Sequence, residues 1–421
     1  MIDTSYDVLI VGAGYAGLCL SYFLKLKGIS HLVLEKSGIG SAWKQQRWFT
    51  MKLNTPNKLN VLPGYEDYFA DPEGFSYAVE YEDYLKSYTI RYALPVKEQC
   101  EVAQITKNAE KRFFVSCRCE GQEVRFYSKH IVVASGAQNQ PQLPAIADVI
   151  DKKITRMHVS AYRNADALPD GAVLVVGSGQ SGAQVADDLL DHGRTVYLST
   201  SKVGHIPRRY RGKDIEDWLI ITGYYETSTA KMSNEDLQDM KQPLISGVGK
   251  KGKTLTLLSL SKKGATLLGK ARKANGKCIY FERNTNANIR FGFEFSARIK
   301  ASVDAFITAK GMRIAPDSDA PEEAERDATS WVPEIDMLDL GGKDVNTVIY
   351  ATGYGYNFNY LKFPIFTSDH RLRERTGPKD VKGLHFLNIP NQFKLKSGII
   401  LGITEDAKNL ADKLEASVLL R

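Results

Sequence analysis

The sequence predicts an α/β fold built from two related βαβ units, the second inserted into the first. Three observations carry this. The apolar run Val8-Leu9-Ile10-Val11 leads into Gly12-Ala13-Gly14-Tyr15-Ala16-Gly17. A second run, Val173-Leu174-Val175-Val176, leads into Gly177-Ser178-Gly179-Gln180-Ser181-Gly182. Two further apolar runs, Ile131-Val132-Val133 and Val348-Ile349-Tyr350, end in Ala134-Ser135-Gly136 and Ala351-Thr352-Gly353.

Each glycine motif reads as strand, tight turn and helix. The first glycine permits the turn, the second lets backbone approach a pyrophosphate, and the third lets helix and strand pack closely. The helix N-terminus then offers unpaired N–H groups and a partial positive charge to an anion. Glycine turns are common, so one such motif says little. Two in this context predict two Rossmann-like dinucleotide-binding domains on one chain, and redox chemistry between their ligands.

In the first unit, strand Asp7–Val11 is followed by a helix from Gly14 to Lys27, which Gly28 ends as its C′ residue. The next strand, His31–Leu34, stops at Glu35, with Lys36 beside it. A carboxylate about twenty residues past the fingerprint accepts hydrogen bonds from both ribose hydroxyls and repels a 2′-phosphate. In the second unit the corresponding strand, Thr195–Leu198, runs into Ser199-Thr200-Ser201-Lys202. Hydroxyls and a lysine replace the acid, and Arg208, Arg209 and Arg211 follow, which suits a 2′-phosphate. The contrast assigns FAD to the first site and NADPH to the second.

Chain order then predicts a discontinuous FAD domain, residues 1–150 and 340–421, around an NADPH domain, 151–339. Residues 205–300 exceed a plain Rossmann unit and are expected to form a helical insert. Gln99–Ile105, Phe113–Cys119 and Val124–Tyr127 read as a short antiparallel sheet, with Cys117 and Cys119 on one strand face as packing residues. The last helix is expected from Gly398-Ile399 through Leu414, its N-terminus toward the flavin, with Lys394 and Lys396 just before it.

At this point the chain resembles the flavin-containing monooxygenase class (class B flavoprotein monooxygenases). It is most similar to the short forms: the plant YUCCA enzymes and bacterial flavoproteins named for cation transport. Several stretches carry the resemblance: Ile39 to Trp48, with Trp43, Arg47 and Trp48 near the flavin; Leu53-Asn54-Thr55-Pro56-Asn57; Arg208 to Asp214; Ala351-Thr352-Gly353-Tyr354; Gly383-Leu384-His385-Phe386; and Lys396-Ser397-Gly398 through Glu405-Asp406-Ala407. One fingerprint departs from the family. Of its Phe, Gly, His and terminal Phe/Trp, the matching positions here are Lys152, Ile154, His158 and Tyr162. Tyr162 in place of Trp weakens the case for ketone oxygenation.

The resemblance implies that NADPH reduces FAD, and that reduced flavin and dioxygen form a flavin C(4a)-(hydro)peroxide. One oxygen atom then goes to a small organic substrate by N- or S-oxygenation, or a 2-oxo acid is oxidised. It implies Asn54 and His158 as site residues, Asn54 as an amide beside the flavin and His158 as a linker between domains. The alternative is an NADPH-dependent flavoprotein reductase or oxidase without oxygen insertion, which the lack of Cys-x-x-Cys disfavours.

Bulk properties set the remaining bounds. The chain has 421 residues, 43% hydrophobic and 25% charged, as in globular proteins with more than one core. It starts without a basic n-region, and five scattered cysteines suggest no disulfide framework, so a cytoplasmic, reducing setting is expected. No metal is expected. Net charge is +7. Residues 241–281 hold ten basic residues and no acid, a solvated surface that leaves open weak contact with an acidic partner or an anionic membrane. No nucleic-acid module accompanies it. Oligomeric state is not readable, and a homodimer is compatible with the sequence.

Overall fold

The computed structural model describes residues 4–108, 112–230, 232, 244–248, 254–315, 330–368 and 372–419. The elements that position the site are, in order, β1 (Thr4–Val11), α1 (Tyr15–Leu26), β2 (His31–Leu34), α2 (Ala78–Arg91), β3 (Val96–Lys97), β4 (Cys100–Lys107), β5 (Phe113–Cys119) and β6 (Gln122–Val133). There follow β7 (Thr155–His158), β8 (Ala172–Val176), α3 (Gln180–Asp191), β9 (Val196–Ser199), α4 (Ile215–Ile221), β10 (Thr266–Leu268), α5 (Thr285–Ala309), β11 (Val345–Tyr350), β12 (Leu384–Phe386) and α6 (Ile400–Leu419).

The first sheet runs β3-β2-β1-β6-β5-β4, with β12 added to β6. Strands β1, β2, β3, β6 and β12 are parallel. Strands β4, β5 and β6 form an antiparallel meander. The long β6 belongs to both patterns: its first part pairs with β5 and its last three residues pair with β12. The second sheet runs β10-β9-β8-β11-β7 and is parallel throughout.

Side-chain alternation splits each central strand between two cores. Val8 and Ile10 pack under α1, α2 and α6, while Leu9 and Val11 face the meander side. Val173 and Val175 pack with α3 and α5, while Leu174 and Val176 face a small antiparallel sheet. Fully apolar β1 and β8 runs are what strands buried on both faces require.

Three expectations change. Strand β11 pairs with β7 and β8, so residues 340–353 belong with the second unit and the return to the first follows Gly353. Residues 205–300 are not a helical insert. They include β10 of the second sheet, and strands Ala271–Ala274 and Cys278–Phe281, which pair with Met337–Asp339. Cys100 and Cys119 stand opposite each other in the β4–β5 register and are joined as a disulfide, while Cys117 is buried beside them as expected. The last helix begins at Ile400, just past the expected Gly398-Ile399 start, and runs beyond Leu414 to Leu419.

Among the described residues no helix is long and apolar enough to cross a membrane. Of the basic segment, Lys241, Lys250, Lys251 and Lys253 lie outside the described residues. Lys263 pairs with Asp187 and Asp191 of α3, whereas Lys270, Arg272, Lys273 and Lys277 are exposed.

Candidate functional site

The two glycine turns have the same construction. Gly12 and Gly177 adopt φ of +108° and +103°, and a Cβ on either would sit 2.7 or 2.5 Å from the carbonyl oxygen of Ala134 or Ala351. A Cβ on Gly17 or Gly182 would lie 2.0 or 1.9 Å from the carbonyl oxygen of Gly12 or Gly177. Only glycine fits at these four positions. Gly14 differs: a Cβ there would meet nothing within 4 Å. Its use is the open space over the N-terminus of α1, where no side chain caps the helix. Gly179 occupies the same N-cap place on α3, again without a side-chain cap, and Ser181 follows in its first turn. Gly136 and Gly353 also take positive φ, and added Cβ atoms there would meet open space. Each unit thus presents free helix N–H groups beside a bare crossing, which fits a dinucleotide pyrophosphate.

The ends of the second strands distinguish the units. In the first, Glu35 accepts from the backbone N–H of Ala13 at 2.8 Å and of Ser37 at 2.9 Å. Its carboxylate is thereby fixed at the turn, with Lys36 exposed beside it. Gly12 N–H donates to Leu34 O as Gly177 N–H donates to Ser199 O, so Thr200 takes the place of Glu35. The Thr200 hydroxyl is buried, donating to Leu268 O at 2.8 Å and accepting from Asn288 at 3.0 Å. Ser201, whose N–H bonds the Ser178 hydroxyl, and exposed Lys202 remain to face a ligand. The fingerprints alone did not single out Thr200; the register does.

Other sequence candidates fall into place or out of it. Trp43 lies edge-on to Tyr81 at 4.9 Å, with the Arg47 guanidinium over it at 5.7 Å. Trp48 is 4% exposed and packs with Tyr162 in the core of the second unit. Gln180 is held by the backbone of Ser246, accepting its N–H at 2.8 Å and donating to its carbonyl at 3.1 Å. Arg209 is exposed and turns to the Gly212 carbonyl. Lys396 is bound with Lys394 to Glu226 and Glu405, an ion cluster that ties residues 226–229 to the segment before α6. Gly398 keeps its place near the first cradle, its carbonyl 3.4 Å from the Tyr15 hydroxyl. The Thr352 hydroxyl donates to Gln142 O at 2.5 Å.

His158 is a linker. Its Nε2 lies 3.0 Å from Gly353 O and its Nδ1 accepts from the Ser160 N–H at 3.2 Å. The tautomer with the proton on Nε2 satisfies both, and burial holds its pKa below the usual histidine value. It joins the end of β7 to the crossing after β11 and retains no free nitrogen. Tyr162 is fully buried and donates to Asp188 at 2.6 Å, and Asp188 also accepts from Thr50 at 2.5 Å. A tyrosine at the last fingerprint position is thus matched by a carboxylate. Asn54 sits on an exposed turn, and its carbonyl accepts from Arg208 at 2.8 Å.

Arg208, one of three arginines expected to suit a 2′-phosphate, turns inward instead. It is 0% exposed, ion-paired with Asp214, and lies over the Phe75 ring. Glu216, 4.0 Å away, accepts from Tyr225, and burial pushes its carboxyl above the usual range. Nothing in Pro207-Arg208-Arg209-Tyr210-Arg211 marks which arginine turns inward.

Residues 9–225, half of the chain and both glycine turns, match the family described as pyridine nucleotide-disulphide oxidoreductase. The chain belongs to that family. It is 27% identical to an uncharacterized oxidoreductase, CzcO-like, of Geobacillus kaustophilus, over 97% of this chain and 98% of that one. It is also 27% identical to the probable indole-3-pyruvate monooxygenase YUCCA3 of Arabidopsis thaliana, over 89% and 79%. A flavin-containing monooxygenase from Stenotrophomonas maltophilia has the same fold, with a TM-score of 0.65 at 16% identity over 99% of both chains. Within the pyridine nucleotide-disulphide oxidoreductase family, this member has no Cys-x-x-Cys among its five cysteines. Its disulfide lies across the β4–β5 hairpin instead.

Proposed function

We propose that the protein is an FAD- and NADPH-dependent monooxygenase acting on a small nucleophilic substrate, an amine or sulfide, or on a 2-oxo acid. The observation that carries the reading is the doubled cradle with unlike strand ends: Glu35 in one, Thr200-Ser201-Lys202 in the other. Residues up to about 150 and those after Gly353 form the FAD side, and the chain between forms the NADPH side. Relatives named as monooxygenases, and the missing dithiol spacing, favour oxygen transfer over disulfide reduction.

FAD, when bound, supplies dioxygen activation, and NADPH supplies the hydride. Of the dioxygen, one atom ends in the product and the other in water, with both electrons drawn from NADPH. Gly12, Gly14 and Gly17 admit the FAD pyrophosphate, and Glu35 orients its ribose while repelling a 2′-phosphate. Gly177, Gly179 and Gly182 do the same for NADPH, whose 2′-phosphate meets Ser201 and Lys202. The Asn54 amide stabilises charge at the flavin without offering an easily lost proton. His158 fixes Gly353, the last residue of the second unit before the chain returns to the first.

The test is NADPH oxidation by the FAD-loaded protein in the presence of amines, sulfides, ketones and 2-oxo acids, with product mass read for one added oxygen, accompanied by loss of CO2 where the substrate is a 2-oxo acid. An oxygenated product from one class supports the proposal. If hydrogen peroxide accounts for all NADPH consumed with every class, the reductase or oxidase reading replaces it.

A further inference from the structure

We propose that Arg208 is a positioning residue: from the coenzyme side it holds the turn that presents Asn54, and so sets how tightly NADPH use is coupled to oxygen transfer. The inference rests on the role of Asn54 proposed above. Its basis is where the guanidinium spends its donors. Nη2 serves Asp214, on the same segment. Nη1 reaches Gly247 O at 3.2 Å and Asn54 O at 2.8 Å, and the plane lies 5.3 Å from the centre of the Phe75 ring. Asn54 and Phe75 belong to the chain before β3, on the FAD side.

A buried arginine serving only its own loop would need neither contact. Desolvating a guanidinium is costly unless its fork is matched by acceptors, and here part of the match comes from the chain before β3. Among the described residues the Asn54 side chain bonds nothing and is exposed. The backbone around it is held at Leu53 by Ser76 O, at Thr55 by the Asn60 amide and at Asn54 by Arg208. Removing the Arg208 hold, the one on Asn54 itself, lets the amide move by a fraction of its own length, enough to degrade a preorganised site. The segment carrying Arg208 also follows β9, where NADPH is proposed to bind. A shift of that segment on coenzyme binding would be passed to the Asn54 turn through one side chain.

The experiment compares Arg208→Lys, Asn54→Ala and the double variant as FAD-loaded proteins. The first readout is NADPH oxidation without substrate, followed as peroxide release. The second, free of turnover, is hydrogen exchange of the amides of residues 50–60 in protein without NADPH. Arg208→Lys is expected to raise peroxide release about tenfold and to speed exchange in 50–60, with Asn54→Ala raising release comparably. The double variant is then no leakier than the worse single one, because both changes act through one amide. Multiplying effects, or an Arg208→Lys protein that leaks like the parent while Asn54→Ala leaks more, would overturn the positioning role and leave the proposed function standing. No change in Asn54→Ala removes Asn54 from the mechanism and this inference with it. If Arg208→Lys does not fold, Phe75→Leu, which keeps the ion pair and removes the aromatic face, is expected to act in the same direction more weakly. Parental leakage and exchange in that variant would also overturn the positioning role.

Discussion

At the scale of single residues, the second strand end makes a direct prediction. Lys202 is exposed and unconstrained, so Lys202→Ala should fold normally and lose affinity for NADPH while leaving NADH little affected. A charge-assisted contact of about 1.5 kcal/mol corresponds to roughly a tenfold fall in the ratio of kcat/KM values for the two coenzymes. An unchanged ratio would move the 2′-phosphate elsewhere. Tyr162 gives a second. Tyr162→Phe keeps the packing against Trp48 but deprives buried Asp188 of a donor, and should cost about 1–3 kcal/mol in denaturant unfolding. Residue readings from sequence succeeded where the demand is local. A glycine at 12, 17, 177 or 182 is required by its own φ or by a carbonyl a few residues away. They failed where burial depends on distant packing. Trp48, placed near the flavin by the resemblance, is a core residue, and of the arginines at 208 and 209 only Arg208 turns inward.

Among elements, β6, β12 and α6 meet around two histidines. His385 Nε2 and His130 Nδ1 lie 3.3 Å apart, and His130 Nε2 lies 3.2 Å from the Ser417 hydroxyl. Burial, then the His130 and Lys413 charges, pull His385 down to about 3. Burial also lowers His130, where Asp7 opposes and Lys129, Lys107 and Lys413 reinforce the shift. A histidine whose pKa falls on folding binds fewer protons native than unfolded. Its contribution is therefore intact above about 6.5 and drains as pH drops toward the folded value. His385 alone should cost about 2 kcal/mol of stability between pH 7 and pH 5. Unfolding free energies at the two pH values would check this, and His385→Leu should flatten the difference. The strand runs themselves were legible, because apolar stretches between glycine turns have few other fates. Their partners were not: β11 ends in the same small-residue-and-glycine pattern as β6, and only the ladder to β7 and β8 places it in the second sheet. The Cys100–Cys119 pairing likewise depends on the hairpin register, which no local spacing announces.

Across the whole molecule, the repeat of one architecture was readable because both copies retain their glycines. What joins the copies was not. The Arg208–Asn54 bond and the Lys394, Lys396, Glu226 and Glu405 cluster link residues remote in sequence. They follow from how two sheets are set against each other. Trp48 shows the consequence most plainly. Its indole, carried by the N-terminal portion of the chain, is a plug in the interior of the other half. Heating cannot melt one half and spare its neighbour without exposing that plug. Calorimetry should therefore record a single endotherm for the intact protein, and Trp48→Ala should split it into two.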